Sequence, residues 1–475
     1  MKVRPTLALL WLTFGVEALA QSPKPLLITH VDLIDVSTGK TRHDMTVVIS
    51  ANRITEVKKS RIVAVPEGAQ LVDAKGKFLM PGLWDMHVHI FNQVTRRPPN
   101  TWYFPLFVAN GVTSIREMWT KPENMGQIRA WRKSRMEDSL LAPRIAAVGA
   151  LVDGPGGAET TNLAALQMGP TTNVVSTSEE ARKFVRAVKV AGLDFVKSYS
   201  RLSPETYFAI ADEAKKQGIP FAGHVPFAVD AAEASSAGQR SMEHLNQILE
   251  SSSSRSHELF QVPGRDWSSK YDELTLDTFD ETKFKKLVAI LAKNHSWQDP
   301  TLVRNRVWAF RGEKVILDDS RLRYTPADEV ATWKKFWSSE QAETSIPHRL
   351  WQKQLEIVLP MHHAGVPLLA GTDVGADYIY PGFSLHDELA LFVQAGLSTG
   401  DALKTATCNP ARFLGMLDRV GTVEKGKLAD LVLLDANPLE DIHNTQRIRA
   451  VVLNGRYLDR AALDKLLAQA EANAR

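Results

Sequence analysis

Short apolar runs alternate with amphipathic stretches through the middle of this chain, and that alternation restricts the fold more than any other feature. Strands are expected at Gly111–Ile115, Arg144–Val148, Asp194–Lys197, Pro220–His224, Ser241–His244 and Leu368–Asp373. Helices are expected at Thr177–Ala191, Pro204–Gln217, Val229–Ala237 and Gln352–Ala364. Strand, helix and strand in succession imply parallel pairing through crossovers. About eight such units over roughly 330 residues fit an α/β protein of the (β/α)₈ TIM-barrel type better than an open sheet. No strand-to-helix turn carries a glycine-rich phosphate fingerprint, which weakens the dinucleotide-binding alternative.

The two ends have a different texture. Thr46–Ser50, Ile54–Val57, Gln70–Val72 and Lys77–Met80 are short β-like runs, as are Leu428–Asp435 and Ile448–Leu453, the last followed by an Asn454-Gly455 turn. Neither end has enough strands to bury a face alone. Residues 26–80 and 421–460 are therefore read as one composite β-sandwich, with 81–420 as the barrel. Residues 251–350 break the rhythm and read as an insertion. They open with Ser251-Ser252-Ser253-Ser254 and carry Trp267, Trp297, Trp308, Trp333 and Trp337, with Trp351 at the far edge. Burial of the rings for the segment's own stability explains most of them. A lid over the barrel mouth is the functional alternative.

Composition narrows the function. With 475 residues, 44% of them hydrophobic and 23% charged, the chain can bury a sizeable core. A net charge of +3, evenly spread, gives no basic footprint for nucleic acid. Cys408 is the only cysteine, so an intrachain disulfide and a cysteine-based zinc site are both excluded. It reads as a small buried residue. Residues 1–20 look like a signal peptide: Lys2 and Arg4 precede an apolar run ending in Ala18-Leu19-Ala20. The run is too short for a membrane span and is interrupted by Glu17. The expectation is a periplasmic or secreted protein, free of the membrane after cleavage, with a homo-oligomer left open. Mass spectrometry should find mature protein beginning at Gln21; cytosolic protein with an intact N-terminus would refute export.

The chemistry-bearing residues lie at strand ends. His87-Val88-His89 places two imidazoles on one face of a strand, where they can share a metal ion. Gly223-His224, Glu243-His244 and Gly371-Thr372-Asp373 end three more strands. C-terminal strand ends line the active site of a TIM barrel. Any one of these residues could be structural; four positions of the same kind are hard to reach by chance. Histidine and carboxylate without cysteine suit zinc, manganese, iron or cobalt, with zinc the default. Lys197 also ends a strand. As an ammonium it would repel metals, but burial beside cations favours the neutral amine, which can take up CO₂ as a carbamate. A salt-bridged lysine is the structural alternative.

Pro81-Gly82-Leu83-Trp84-Asp85-Met86-His87-Val88-His89, Val196-Lys197-Ser198-Tyr199, Gly223-His224, Glu243-His244, Gly371-Thr372-Asp373 and the closing run 421–431 together resemble the amidohydrolase superfamily. Within it they are most similar to the imidazolonepropionase-like group that includes Xaa-Pro and other Xaa-amino-acid dipeptidases. The resemblance runs from about Leu27 to Leu458. It implies that His87 and His89 bind one metal and His224 and His244 a second. Lys197, carboxylated, would bridge them, while Asp373 binds the first metal and shuttles the proton. Tyr199 would polarise the scissile carbonyl. Val225-Pro226 and the 251–350 segment depart from the usual pattern on the substrate side.

The resulting expectation is an enzyme with two divalent metal ions, a metal-bridged hydroxide and a small-molecule substrate, cleaving the amide bond of a dipeptide or N-acyl-amino acid. Cyclic amides, lactones or xenobiotic amides and esters are the alternative on the same site, and a non-catalytic metal-binding scaffold is the second alternative. His386 and Glu388, shortly after the last expected strand, are candidate substrate contacts; a capped helix start explains them equally well. Asp153-Gly154-Pro155-Gly156-Gly157 reads as a turn at the mouth, and His362-His363 as surface.

Overall fold

The protein is described by a computed structural model covering residues 24–91, 99–156, 173–262, 269–338 and 345–475. The expected leader at 1–20, Gly157 and Trp267 lie outside these residues. The described chain begins with β1 (Leu26–Asp35), β2 (Lys40–Ser50), β3 (Arg53–Lys59), β4 (Gln70–Asp73) and β5 (Phe78–Pro81).

From β5 the chain passes directly into a barrel. Its strands are β6 (Leu83–Val88), β7 (Val112–Thr120), β8 (Arg144–Asp153) with the two-residue β9 (Asn173–Val174) alongside, β10 (Phe195–Ser198), β11 (Phe221–Gly223), β12 (Ser241–Glu243) and β13 (Trp297–Asp299). They pair in parallel in the order β6-β7-β8-β10-β11-β12-β13. All residues of β6 and β7 are buried, as parallel strands covered on both faces should be. The helices between them end on local signals. Ser178–Ala191 starts in a Thr177/Glu180 capping box and stops at Gly192, whose φ of +79° suits a residue without Cβ.

The eighth place is taken by residues 367–374, and here the expected strand Leu368–Asp373 needs correction. The segment is extended but not a regular strand. Gln298 N donates to Pro367 O at 2.9 Å and Leu369 N to Gln298 O at 2.8 Å on one side. Met86 N donates to Ala370 O at 2.9 Å and Asp373 N to His87 O at 2.8 Å on the other, which closes the barrel. The ladder fails for a local reason. A Cβ at Gly371 would lie 2.6 Å from the Asp299 carboxylate oxygens and from His87 Cβ, and Asp373 adopts a left-handed φ of +66°.

Residues 251–350 also differ from the expectation of a single insertion. Helix Glu281–Lys293, capped by Asp280, leads into β13, so an ordinary barrel unit lies inside the segment. Trp297-Gln298-Asp299 is too short and too polar to show a strand period. The added helices lie on either side of that unit.

The chain ends with β14 (Leu431–Leu434), β15 (Ile448–Leu453), β16 (Arg456–Asp459) and helix Arg460–Ala474, the last absent from the sequence reading. β14 pairs antiparallel with β5, Leu431 opposite Pro81 and Leu434 opposite Phe78. The sheet runs β16-β15-β14-β5-β1-β2-β3, with β4 on β1. The segment that leads into β14 also reaches the start of β3: Ile54 N donates to Lys427 O at 2.9 Å and Ala429 N to Asn52 O at 2.9 Å. Ile28, Val31, Val47, Ile49, Leu431, Leu433 and Val452 pack into one core. Asp430 ties this layer to the barrel through Arg135 at 2.9 Å and Arg144 at 2.8 Å. Among the described residues no helix is long and apolar enough to cross a membrane.

Candidate active site

The C-terminal ends of four barrel strands and the eighth segment bring His87, His89, Lys197, His224, His244 and Asp373 into one buried cluster. The His87 and His89 rings, two residues apart on β6, lie 5.1 Å from each other. His244 is 4.6 Å from His87 and 4.8 Å from His224, centroid to centroid. Lys197 Nζ reaches His87 Nε2 at 3.1 Å, and Asp373 Oδ1 lies 2.7 Å from His89 Nε2 and 3.4 Å from His87 Nε2. Backbone strain aims two of these groups: His244 and Asp373 both have positive φ, +63° and +66°. Gly223 allows a close approach, since a Cβ there would sit 2.9 Å from Lys197 Cδ.

Desolvation governs the charges. It drives the imidazoles of His87, His224 and His244 well below the usual histidine range, with Lys197 adding like-charge repulsion, and lowers His89 less because Asp373 opposes it. All four rings are thereby held neutral, the state in which imidazole offers a lone pair. Burial lowers Lys197 to about 8, against the pull of Glu243 and Asp373. Burial raises Asp373, but the His89 hydrogen bond and the charges of Arg304 and Lys197 outweigh it, and the carboxyl ends below its ordinary value.

A second layer, missed in the sequence, holds the first. Glu243 Oε2 accepts from His87 Nδ1 at 3.1 Å, fixing that ring so that Nε2 faces the cluster. Arg116, fully buried, donates to Glu243 Oε2 and Asp299 Oδ2, both at 3.0 Å, to Ser241 Oγ at 2.9 Å and to Met86 O. Burial and the neighbouring Glu243 push Asp299 well above the carboxylate range, against the opposing pull of the Arg116 guanidinium. Asp85 braces the eighth segment through Thr372 N at 3.0 Å and Thr372 Oγ1 at 2.6 Å. His224 Nδ1 meets Ser200 Oγ at 2.7 Å, and His244 Nδ1 meets Thr301 Oγ1 at 2.6 Å. One signal was available: Arg116-Glu117 places two charges within an apolar strand run. Asp299 gave none.

The remaining candidates separate. Tyr199 stacks on His224 at 4.1 Å and faces Trp119 at 6.0 Å, at the rim of the cluster. His386 and Glu388 are both buried and engaged by other parts of the fold. His386 is tied to Thr445 Oγ1 at 2.9 Å and Asn110 O at 3.0 Å. Glu388 accepts Leu302 N at 2.9 Å and Val303 N at 2.7 Å, capping helix Leu302–Ala309. Asp153 also faces inward, its carboxylate taking the N–H groups of Gly154 and Arg201. Cys408 is buried, and His363 is exposed with His362 half-buried beside it. Helix Ala327–Ser338 packs onto the loop that follows Asp373: Trp333 and Trp337 lie 5.2 and 5.3 Å from Tyr378, and Trp337 Nε1 donates to Asp377 Oδ2 at 2.8 Å. The aromatic-rich segment thus contributes a wall at the barrel mouth.

Neutral imidazoles and a carboxylate converging at the mouth of a closed barrel define a metal-dependent hydrolase type of centre. The sequence profile of the amidohydrolase family matches residues 78–458, and the chain belongs to that family. It is 37% identical over 98 residues to an adenine deaminase of Serratia proteamaculans (strain 568), a match covering 21% of this chain but only 16% of the deaminase. Among solved structures it is similar to a bottromycin amidohydrolase, with a TM-score of 0.73, 24% identity and coverage of 96% of this chain and 91% of that one. It is also similar to a Xaa-Pro dipeptidase with bound methionine, with a TM-score of 0.67, 20% identity and coverage of 92% and 100%. At these identities the structural likeness concerns the fold.

Proposed function

We propose that the chain hydrolyses the amide bond of a dipeptide or N-acyl-amino acid, using two divalent metal ions, with zinc the default. The observation that carries this reading is the gathering of four neutralised imidazoles, Lys197 and Asp373 in one buried site. His87, His89 and Asp373 offer ligand atoms within 4.8 Å of one another. Among the described residues His89 Nδ1 is buried without a hydrogen-bond partner, a costly state for a group that nothing else engages. In this reading His87, His89 and Asp373 would hold one ion, His224 and His244 would hold the other, and Lys197, once carboxylated, would supply a ligand to them.

Bound divalent ions would acidify water and polarise a carbonyl. The chain's own groups do the rest. Asp373, kept ionised, accepts a proton from the attacking water and delivers it to the departing nitrogen. Tyr199 keeps its phenolic proton, because burial and the charge of Asp373 raise its pKa, and so can donate to the carbonyl oxygen as charge develops there. Trp119 and the Trp333/Trp337 wall limit water at the mouth.

Purified protein should carry about two metal ions per chain and release amino acids from a library of dipeptides and N-acyl-amino acids. Active protein with one ion or none would sink the two-metal reading. Turnover of lactones or xenobiotic esters alone would move the substrate class to the alternative.

A further inference from the structure

Arg304 lies just beyond β13, in the first turn of helix Leu302–Ala309, at the end of the barrel where the ligand cluster opens. Its surroundings set it in place from behind. The guanidinium sits over the Trp308 ring, 5.2 Å from its centroid, and Nη1 donates to Asn305 Oδ1 at 3.2 Å. Asn305 is itself fixed by Nδ2 donations to His244 O and Pro300 O, both at 3.3 Å. The side chain keeps 19% of its surface exposed, and Nε lies 3.5 Å from Asp373 Oδ2, longer than a good hydrogen bond. Asp373 meanwhile commits its other oxygen to His89 at 2.7 Å. The positive charge is felt inside the site, where it helps to depress His224, His244 and Asp373.

We propose that Arg304 reads the α-carboxylate on the leaving side of the substrate, confining the enzyme to amides whose departing amine is a free amino acid. This rests on the amide-hydrolase reading above. Asp373 delivers its proton to the leaving nitrogen, so that nitrogen must come close to Asp373. In an amino acid the carboxyl carbon is one Cα away, about 2.5 Å from the nitrogen by standard bond lengths and angles. A carboxylate so attached falls beside the guanidinium that flanks Asp373. The planar fork suits it, and the Trp308 face shields it from water. An internal peptide bond or a carboxamide has no charge to offer there. Arg304 is in this view a specificity-determining residue that takes no part in bond cleavage.

Two measurements test this with whole protein. Calorimetry compares binding of N-acetyl-L-leucine with its carboxamide, and kinetics compares hydrolysis of the same pair, for wild type, Arg304→Lys and Arg304→Met. Circular dichroism and metal content are matched first. Wild type should favour the carboxylate by about tenfold or more, the scale of one lost charge-assisted pair. Arg304→Met should bring the ratio near one, chiefly through binding and KM. Arg304→Lys should keep part of it, because the charge remains but the fork is gone. An unchanged ratio in Arg304→Met, with hydrolysis intact, overturns the anchor and leaves the amide-hydrolase reading standing. Carboxylate-selective binding that Arg304→Met abolishes, without hydrolysis by wild type, does the reverse. Neither binding nor hydrolysis by wild type overturns both.

Discussion

Lys197→Ala should strip the protein of metal and turnover together, and Lys197→Arg should do no better. The lysine is fully buried, with Nζ 3.1 Å from His87 Nε2. A permanent ammonium there would compete with any cation for the same histidine. With its pKa lowered to about 8, chiefly by burial, a usable fraction is neutral near pH 7–8, and the amine can add CO₂ with loss of one proton. The product is a two-oxygen anion where the unmodified side chain offers a cation. Alanine removes it, and arginine keeps its proton at any working pH. Both variants should lose more than the roughly 10–100-fold typical of groups that merely support a ligand. Acetate or formate should restore part of the alanine variant's activity and none of the arginine variant's. Because the neutral amine grows as pH rises through about 8, reconstitution with metal and bicarbonate should be faster at pH 8 than at pH 6. A purely structural lysine predicts the opposite ranking, with arginine tolerated; an arginine variant with two ions and near-normal rates would end the carbamate assignment.

Arg116→Met should be the most destabilising single change in the barrel, about 3–5 kcal/mol, since it leaves Glu243 and Asp299 buried without their cation. The loss reaches the site as well. Glu243 Oε2 is shared between Arg116 and His87 Nδ1, so freeing the carboxylate frees the ring. Arg116→Lys keeps the charge but cannot span Met86 O, Ser241, Glu243 and Asp299 at once, and should fall between wild type and methionine. Urea unfolding with a parallel metal titration separates the two effects. A methionine variant within about 1 kcal/mol of wild type would show that the network is dispensable, a loss typical of an average substitution rather than of a broken buried pair.

Much of this was legible in the residues. His87 and His89 declare themselves through their i, i+2 spacing, His224 and Lys197 each end a short apolar run, and His244 ends the expected strand after His224, the position a barrel turns into its mouth. The supporting layer was not legible, because its partners are set by register between strands. Arg116, Glu243 and Asp299 are 127 and 183 residues apart along the chain and meet only in the closed barrel. Asp299 also sits on a three-residue strand without a pattern of its own. The surroundings of His386 and Glu388 were hidden for the converse reason. Nearness to Asp373 in sequence says nothing about which way helix Phe383–Gln394 turns them, and packing turns one toward Asn110 and Thr445 and the other toward a helix N-terminus.

The pairing of β5 with β14 has a consequence for the order of events during synthesis. Pro81 meets Leu431, roughly 350 residues later, and ribosomal elongation at about 5–20 residues per second separates the two by some tens of seconds. Through that interval β5 has one partner, β1, and an open edge where β14 will lie. The nascent chain must therefore wait, with its first strands unsealed and β6, bearing His87, anchored to an unfinished layer. Sealing comes when the last hairpin leaves the ribosome, as a single late step of high contact order. Premature termination anywhere before Leu434 would leave an apolar strand edge open to neighbouring chains, so the fold makes completeness of the polypeptide a condition of its own solubility.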